Sequence, residues 1–252
     1  MLNKIISMML GVTTAFAPAA PAAQVAHNPN PQGTDVVIRV GEYEEKAGKR
    51  MYVPGNYEVP DDIPLRHDER GYYISEWDIN LKLSRRINDY LQEMGANTVL
   101  QVAAGKHQDL NAAGRIARAQ DPTIYYSVHH NYVDNQNVSG YVYFVNPDDQ
   151  KSMDYVELLT EKLSNNPGEI APMQARAQDR YIGEMNETPG DVNILFEGGF
   201  FSNVEKDLKV IMSDEQVDFV AKQTAEVLID ILNKENQKAP ATEYASVTVN
   251  KK

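Results

Sequence analysis

The sequence predicts an α/β fold: a single domain built on a mainly parallel mixed sheet flanked by helices on both faces. Three observations carry that prediction. Short apolar or β-branched runs alternate with stretches of helical period. The stretches between runs are long enough for crossovers, which make neighbouring strands parallel. No internal repeat and no second core interrupts the alternation. The domain is expected over residues 35–236.

In chain order, Val36, Val37 and Ile38 form a β-branched run leading to Gly41, as in a buried strand that enters a turn. After Ser75, the residues Ile79, Leu83, Ile87, Leu91 and Met94 recur every three or four positions and Gly95 follows, which predicts an amphipathic helix with a glycine stop. Thr98 to Val102 is the next strand, and Leu110 to Ala119 a second helix with Asp109 as its cap. Strands are expected at Ile124 to Val128 and Gly140 to Val145, and a helix at Met153 to Leu163. Val192 to Phe196 is a strand running into Glu197-Gly198-Gly199, and Val217 to Leu232 is the last helix.

The ends read differently. Residues 1–23 have the form of a secretory signal: Lys4, an apolar stretch from Ile5 to Phe16, then A-x-A sites. Residues 24–34 read as a linker and 237–252 as a disordered tail. The expectation is a secreted protein of the cell envelope or periplasm, with no stable membrane span once the signal is cleaved.

Composition narrows the chemistry. There is no cysteine among the 252 residues, so disulfides, thiolate-held metals and cysteine nucleophiles are excluded. Asp and Glu number 36 against 24 Lys and Arg, a net charge of −12, which argues against nucleic acid as a partner. Neither G-x-x-x-x-G-K-[ST] nor G-x-S-x-G occurs.

Ligands of such sheets bind at the carboxyl ends of the strands. Glu42, His129 with His130, and Glu197 stand there, and Glu76 opens the first long helix. Each has an ordinary explanation: a carboxylate at a helix N-terminus favours the dipole, and a histidine after a strand is usually a hydrogen-bonded core residue. Glu197, after apolar strand residues and beside two glycines, is harder to explain so. Their convergence on one rim is the informative feature.

With these residues placed, the sequence resembles the zinc-dependent N-acetylmuramoyl-L-alanine amidases of the amidase 3 type. Ser127-Val128-His129-His130-Asn131 is similar to the family's S-[IV]-H-x-N, and Glu76 to Leu81 to its E-x-x-x-N-L. Ile194 to Asn203 resembles the segment L-x-E-x-G-F-x-[ST]-N, and Leu110 to Arg115 with Ala117 and Ala119 resembles L-x-x-R-x-x-x-A. The resemblance covers roughly Val36 to Asn233. It implies Glu76 and His129 as metal ligands, Glu197 as the catalytic carboxylate, and Asn131 and Arg115 as substrate-binding residues. It also implies peptidoglycan as substrate, through both stem peptide and glycan strand.

The departure lies in the first strand. Where the family has D-P-G-H-G-G, with a histidine ligand, this chain has Arg39-Val40-Gly41-Glu42-Tyr43-Glu44, and the Thr-Arg after the second strand is missing. Glu42 would then be the third ligand, 34 positions before Glu76. Zinc accepts carboxylate oxygen at about 2.0–2.2 Å, so Glu42, Glu76 and His129 suffice for Zn2+ with one open position. Two carboxylates make the cation a weaker Lewis acid, and the site less selective against other divalent cations. His130 should face away from His129 across the strand, and His67 would reach the rim only if its loop folded over it.

The function implied is hydrolysis of the amide between N-acetylmuramic acid and L-alanine by metal-activated water, with Glu197 as general base. The alternative is an inactive amidase-like domain that binds muropeptide or regulates a wall hydrolase. An acidic chain without a wall-binding repeat would need targeting from a regulatory protein partner or from its own groove. Met51 to Tyr73 reads as a loop.

Overall fold

The computed structural model describes residues 33–42, 49–102, 110–164, 176–177, 182–187 and 189–238. β1 (Thr34–Val40) is buried along its whole length, because apolar side chains on both faces meet helices. It lies between β5 (Thr98–Gln101) and β6 (Pro122–Asn131), parallel to both. β9 (Val192–Phe200) adds in parallel beside β6. β7 (Val142–Val145) runs antiparallel to β9, and the two-residue β8 (Arg176–Ala177) closes the order β5-β1-β6-β9-β7-β8. The predicted mainly parallel mixed sheet is therefore the one observed.

Alternation along the strands divides two packing faces. Val36, Ile38, Ile124, Tyr126, Val128, Ile194 and Phe196 meet α1 (Glu76–Glu93), α3 (Gln150–Leu163) and α5 (Asp214–Lys238) in the larger core. Each fully buried aliphatic or aromatic side chain there contributes about 1.5–3 kcal/mol. Val37, Tyr125 and Leu195 point the other way, onto α2 (Leu110–Arg118) and a single 3-10 turn at Gly183–Met185. That second face also carries Arg39, Ser127, His129 and Glu197 by the same two-residue period.

Several boundaries differ from expectation. β1 begins at Thr34, inside the predicted linker, because its backbone bonds Gln120 at 3.1 Å. α3 starts at Gln150, where the Asp149 side chain accepts from the Ser152 amide; the apolar period alone placed the start at Met153. α5 runs to Lys238, past the predicted end, because Glu235 accepts from Tyr155 and from Lys151 and Lys238 at 2.9 and 2.8 Å. The short α4 (Asp207–Met212) and β8 had no periodic signal.

The largest correction concerns Met51 to Tyr73. It is a three-stranded antiparallel sheet, β2 (Arg50–Tyr52), β4 (Gly71–Ser75) and β3 (Arg66–Asp68), in that spatial order. Strands this short give no usable alternation, and here cross-strand polar contacts hold them. Asp68 accepts from Arg50 at 2.7 Å and from Tyr52 at 2.8 Å. Arg66 then grips Asp78 bidentately, at 2.6 and 2.7 Å, fastening the insert to the first turn of α1.

The expected signal, the tail from residue 239 onward and the expected cap Asp109 lie outside the described residues. No helix of the described residues is long and apolar enough to cross a membrane.

Candidate metal centre and active site

β1 ends at Val40, and Gly41 bends the chain over β6, with its amide donating to the Val128 carbonyl at 2.8 Å. A side chain at position 41 would stand 2.4 Å from that carbonyl and 2.6 Å from the His129 ring, so the approach requires glycine. Glu42 follows in the left-handed region, φ 63°, an uncommon conformation for a residue with a Cβ. The strain turns its carboxylate toward the strand ends.

Glu76 is the first residue of α1. Ser75 caps the helix by accepting from the Asp78 amide at 3.2 Å, and its hydroxyl donates to Asp78 Oδ2 at 2.5 Å. One turn on, Asn80 Nδ2 donates to the Gly41 carbonyl at 3.1 Å and toward Glu76 Oε1 at 3.4 Å. The Asn of the quoted E-x-x-x-N-L stretch therefore ties the β1 loop to the Glu76 carboxylate. Its Oδ1 meets His130 Nδ1 at 2.8 Å, on the α1 side of the sheet.

His129 faces the opposite side, as the strand period required. Its Nδ1 lies 3.4 Å from Glu76 Oε1, and Glu42, Glu76 and His129 offer ligand atoms that all fall within 4.8 Å of one another. Two donors on a tetrahedral cation with bonds of about 2.0–2.2 Å stand about 3.3–3.5 Å apart, so the Glu76–His129 spacing fits a shared ion. Glu197 is the register partner of His129 on β9. Its Oε2 is shut off from solvent and has no hydrogen-bond partner. A buried, unpartnered carboxylate oxygen beside three convergent donors is the arrangement a cation would complete.

The electrostatics agree. Burial and neighbouring Glu76 push the Glu42 carboxyl up, against the opposing pull of His129. Burial pushes Glu197 up to about 8, with Glu76 and Glu184 adding to it and His129 and Lys49 opposing. Burial acts against the charge of His129 too, but Glu184, Glu76 and Glu197 overcome it and raise the imidazole to about 10. Glu76 also loses to burial yet ends low, held by its contacts with His129 and Asn80. Carboxylates outnumber the cations that face them, and a divalent ion would relieve that excess.

The other named residues fall as follows. Asn131 ends β6, and its Oδ1 accepts from the Tyr132 amide at 2.8 Å. Arg115 sits on the outer side of α2 with Glu187 at 3.3 Å. His130 is buried against Asn80, and burial lowers it to about 4. His67 lies on β3 edge-on to Tyr72 and outside the donor cluster.

Three residues of the site had not been anticipated. Arg39 and Glu184, 2% and 1% exposed, form an ion pair of 2.7 Å beneath His129. Lys49 lies at the rim with its Nζ 3.5 Å from the Tyr132 carbonyl, and its charge acts on both Glu42 and Glu197. The signal for Arg39 was available: an arginine inside Val-Val-Ile-Arg-Val must be paired if the strand is buried on both faces.

Comparison with known proteins bears on the fold and the family. A search of curated proteins gives no match. Among solved structures, the catalytic domain of CwlV, an N-acetylmuramoyl-L-alanine amidase from Bacillus (Paenibacillus) polymyxa var. colistinus, is 15% identical, with a TM-score of 0.60 over 79% of this chain and 98% of that one. The N-acetylmuramoyl-L-alanine amidase AmiC2 of Nostoc punctiforme is 21% identical, with a TM-score of 0.58 over 81% and 98%. The CwlD amidase from Clostridioides difficile, solved in complex with the GerS lipoprotein, is 16% identical, with a TM-score of 0.62 over 80% and 100%. At these identities the likeness speaks for the fold. The family model described as N-acetylmuramoyl-L-alanine amidase matches residues 66–230, from β3 into α5. The chain belongs to the N-acetylmuramoyl-L-alanine amidase family.

Proposed function

We propose that this peptidoglycan amidase acts through the rim centre, with Glu42, Glu76 and His129 holding a divalent cation and Glu197 as general base. The observation that carries this reading is the placement of Glu197 beside the donor cluster, with one carboxylate oxygen buried and unpartnered. When bound, zinc or a related dication supplies Lewis acidity for the scissile carbonyl and lowers the pKa of water.

The chain's own residues do the rest. The amide joins the lactyl carbonyl of N-acetylmuramic acid to the nitrogen of L-alanine. Glu197 takes a proton from the attacking water as oxygen adds to the carbonyl carbon. It returns that proton to the alanine nitrogen as the carbon–nitrogen bond breaks, leaving a lactyl acid and a free stem-peptide amine. Burial serves this role, because a carboxylate whose affinity for protons is raised is a stronger base than one in water. Asn131 and the Lys49 ammonium border the rim, where they would bind polar groups of glycan or stem. Arg115, paired on the outer face of α2, would act only on substrate that extends past that helix.

An enzyme is favoured over a binding module because a binding module has no use for a desolvated, unpartnered carboxylate at this position. Wall hydrolysis places the work outside the cytoplasm, and residues 1–23 would supply the export signal. A protein partner is also proposed, since CwlD is solved with a lipoprotein. The test is digestion of purified peptidoglycan by the full chain before and after chelation, with zinc, manganese or cobalt restored. Release of stem peptide that disappears on chelation and returns with one metal is the expected result. No release under any of the three overturns the reading.

A further inference from the structure

Beneath the donor cluster lies a polar assembly that the reaction as described does not use. Glu184 reaches it from the 3-10 turn Gly183–Met185, which packs on α2. The approach is close enough that a Cβ at Gly114 of α2 would stand 2.2 Å from the Glu184 carbonyl oxygen. The Glu184 side chain is 1% exposed. Its Oε2 is 2.7 Å from Arg39 Nη1, and its Oε1 is 3.3 Å from His129 Nε2.

We infer that Glu184 is the positioning residue of the centre: it accepts the Nε2–H of His129 and so fixes the tautomer whose bare Nδ1 faces Glu76 and Glu42. A neutral imidazole carries one donor and one acceptor nitrogen, and the partner of one decides the role of the other. Nδ1 is the nitrogen at ligand spacing from Glu76, 3.4 Å from its Oε1. A proton on Nδ1 would block that donor and leave Nε2 lone pair against carboxylate lone pairs in a desolvated pocket. Arg39 Nη1, which can only donate, also stands 3.3 Å from Nε2, but Glu184 is the group there with unmet accepting capacity: neither of its buried oxygens has a hydrogen-bond donor in the ion-free protein. Arg39 therefore serves to offset the carboxylate, which without a counter-charge would be costly to bury. Without an ion the 3.3 Å contact is an ion-pair distance, and a cation pulling on Nδ1 would strengthen the donor at Nε2 and draw the two into a hydrogen bond.

This inference rests on the metal-centre reading, and the experiment separates the two. Zinc affinity of the full chain is measured by competition with a chromophoric chelator for wild type, Glu184→Gln, and the double variant Arg39→Met with Glu184→Leu. The double variant removes both buried charges together, so it keeps the fold where the single variant strands Arg39; thermal melts of the metal-free proteins check this. The expected result is a 10–100-fold loss of zinc affinity in the double variant and a smaller loss in Glu184→Gln, which keeps an acceptor oxygen. Histidine 15N shifts of the zinc-loaded wild type should show His129 protonated at Nε2. Wild-type affinity in a folded double variant, or a proton at Nδ1, overturns the role of Glu184 while leaving the metal centre standing. A wild type that binds no zinc brings down the centre, and Glu184 with it.

Discussion

Two carboxylates at and beyond the end of β9 show what separates a working group from a structural one. Asp207, at the start of α4, is fully buried and saturated: Ser139 Oγ donates at 2.5 Å, the Gly140 amide at 3.1 Å and the Phe200 amide at 3.0 Å. Glu197, within β9, has an oxygen equally removed from solvent and no donor at all. One carboxylate is used up in holding the segment before β7 against β9. The other keeps its capacity to bind a proton, and burial raises its affinity for one to a pKa of about 8. Between these two, unspent hydrogen-bonding capacity beside a donor cluster separates the group free to act from the one consumed by the fold.

The strongest way to break this contrast is to neutralise each carboxylate. Glu197→Gln should lower amidase turnover by about 10²–10⁴-fold, the range of a lost general base, while the melting temperature holds or rises. Peptide-release kinetics beside a thermal melt would read both. Equal loss of stability and activity would mean that Glu197 is structural after all. Asp207→Ala should do the reverse. Three orphaned donors should cost about 3 kcal/mol of stability by denaturant titration, with zinc affinity close to wild type.

A smaller effect sharpens the ligand set. Glu42→His exchanges a carboxylate for imidazole at a left-handed position that histidine tolerates better than most side chains. It should raise preference for zinc over manganese by about tenfold, read as the ratio of the two affinities. Acidity probes the same cluster. Metal must displace a proton from His129, raised to about 10, so zinc affinity should climb as pH rises. Calorimetry in buffers of different ionisation enthalpy would detect the released protons. In the metal-free protein the signs differ by group. Glu184, which Arg39 and His129 hold at about 2 despite its burial, lends stability above the ordinary carboxylate range that is lost as pH falls toward 2. His129 lends stability below about pH 6.5 that is lost as pH rises through about 10. The smallest effect is expected at the exposed Arg86–Asp218 pair, where Arg86→Ala should cost under about 1 kcal/mol in the same denaturant assay.

The sheet and α1 were legible because their information is local. Val-Val-Ile in β1 and the regular apolar spacing from Ile79 to Leu91 announce strand and helix without reference to the rest of the chain. Glu42, Glu76, His129 and Glu197 stood out as strand-end and helix-start residues; the family motifs marked Glu76, His129 and Glu197, and Glu42 only as the substituted position. The insert was missed because β2, β3 and β4 owe their form to Asp68, Arg50 and Tyr52 meeting across strands. Glu184 was missed for a similar reason. Nothing near it in sequence shows that the chain passes under β1, and only Arg39, a buried cation in need of a partner, hinted that a carboxylate would arrive.

The fastening of Arg66 to Asp78 has a consequence for how this protein can vary. The insert meets the ligand-bearing turn of α1 through that bidentate contact and through β4, which runs directly into Ser75 and Glu76. The stretch between β2 and β3 adds an apolar anchor, since Val53 and Ile63 are buried in the larger core, while Pro54 to Asn56 and Asp61 with Asp62 stay exposed. Lengthening the chain at those exposed positions should leave the spacing of Glu76 to His129 untouched, so this part of the surface can change without recalibrating the chemistry.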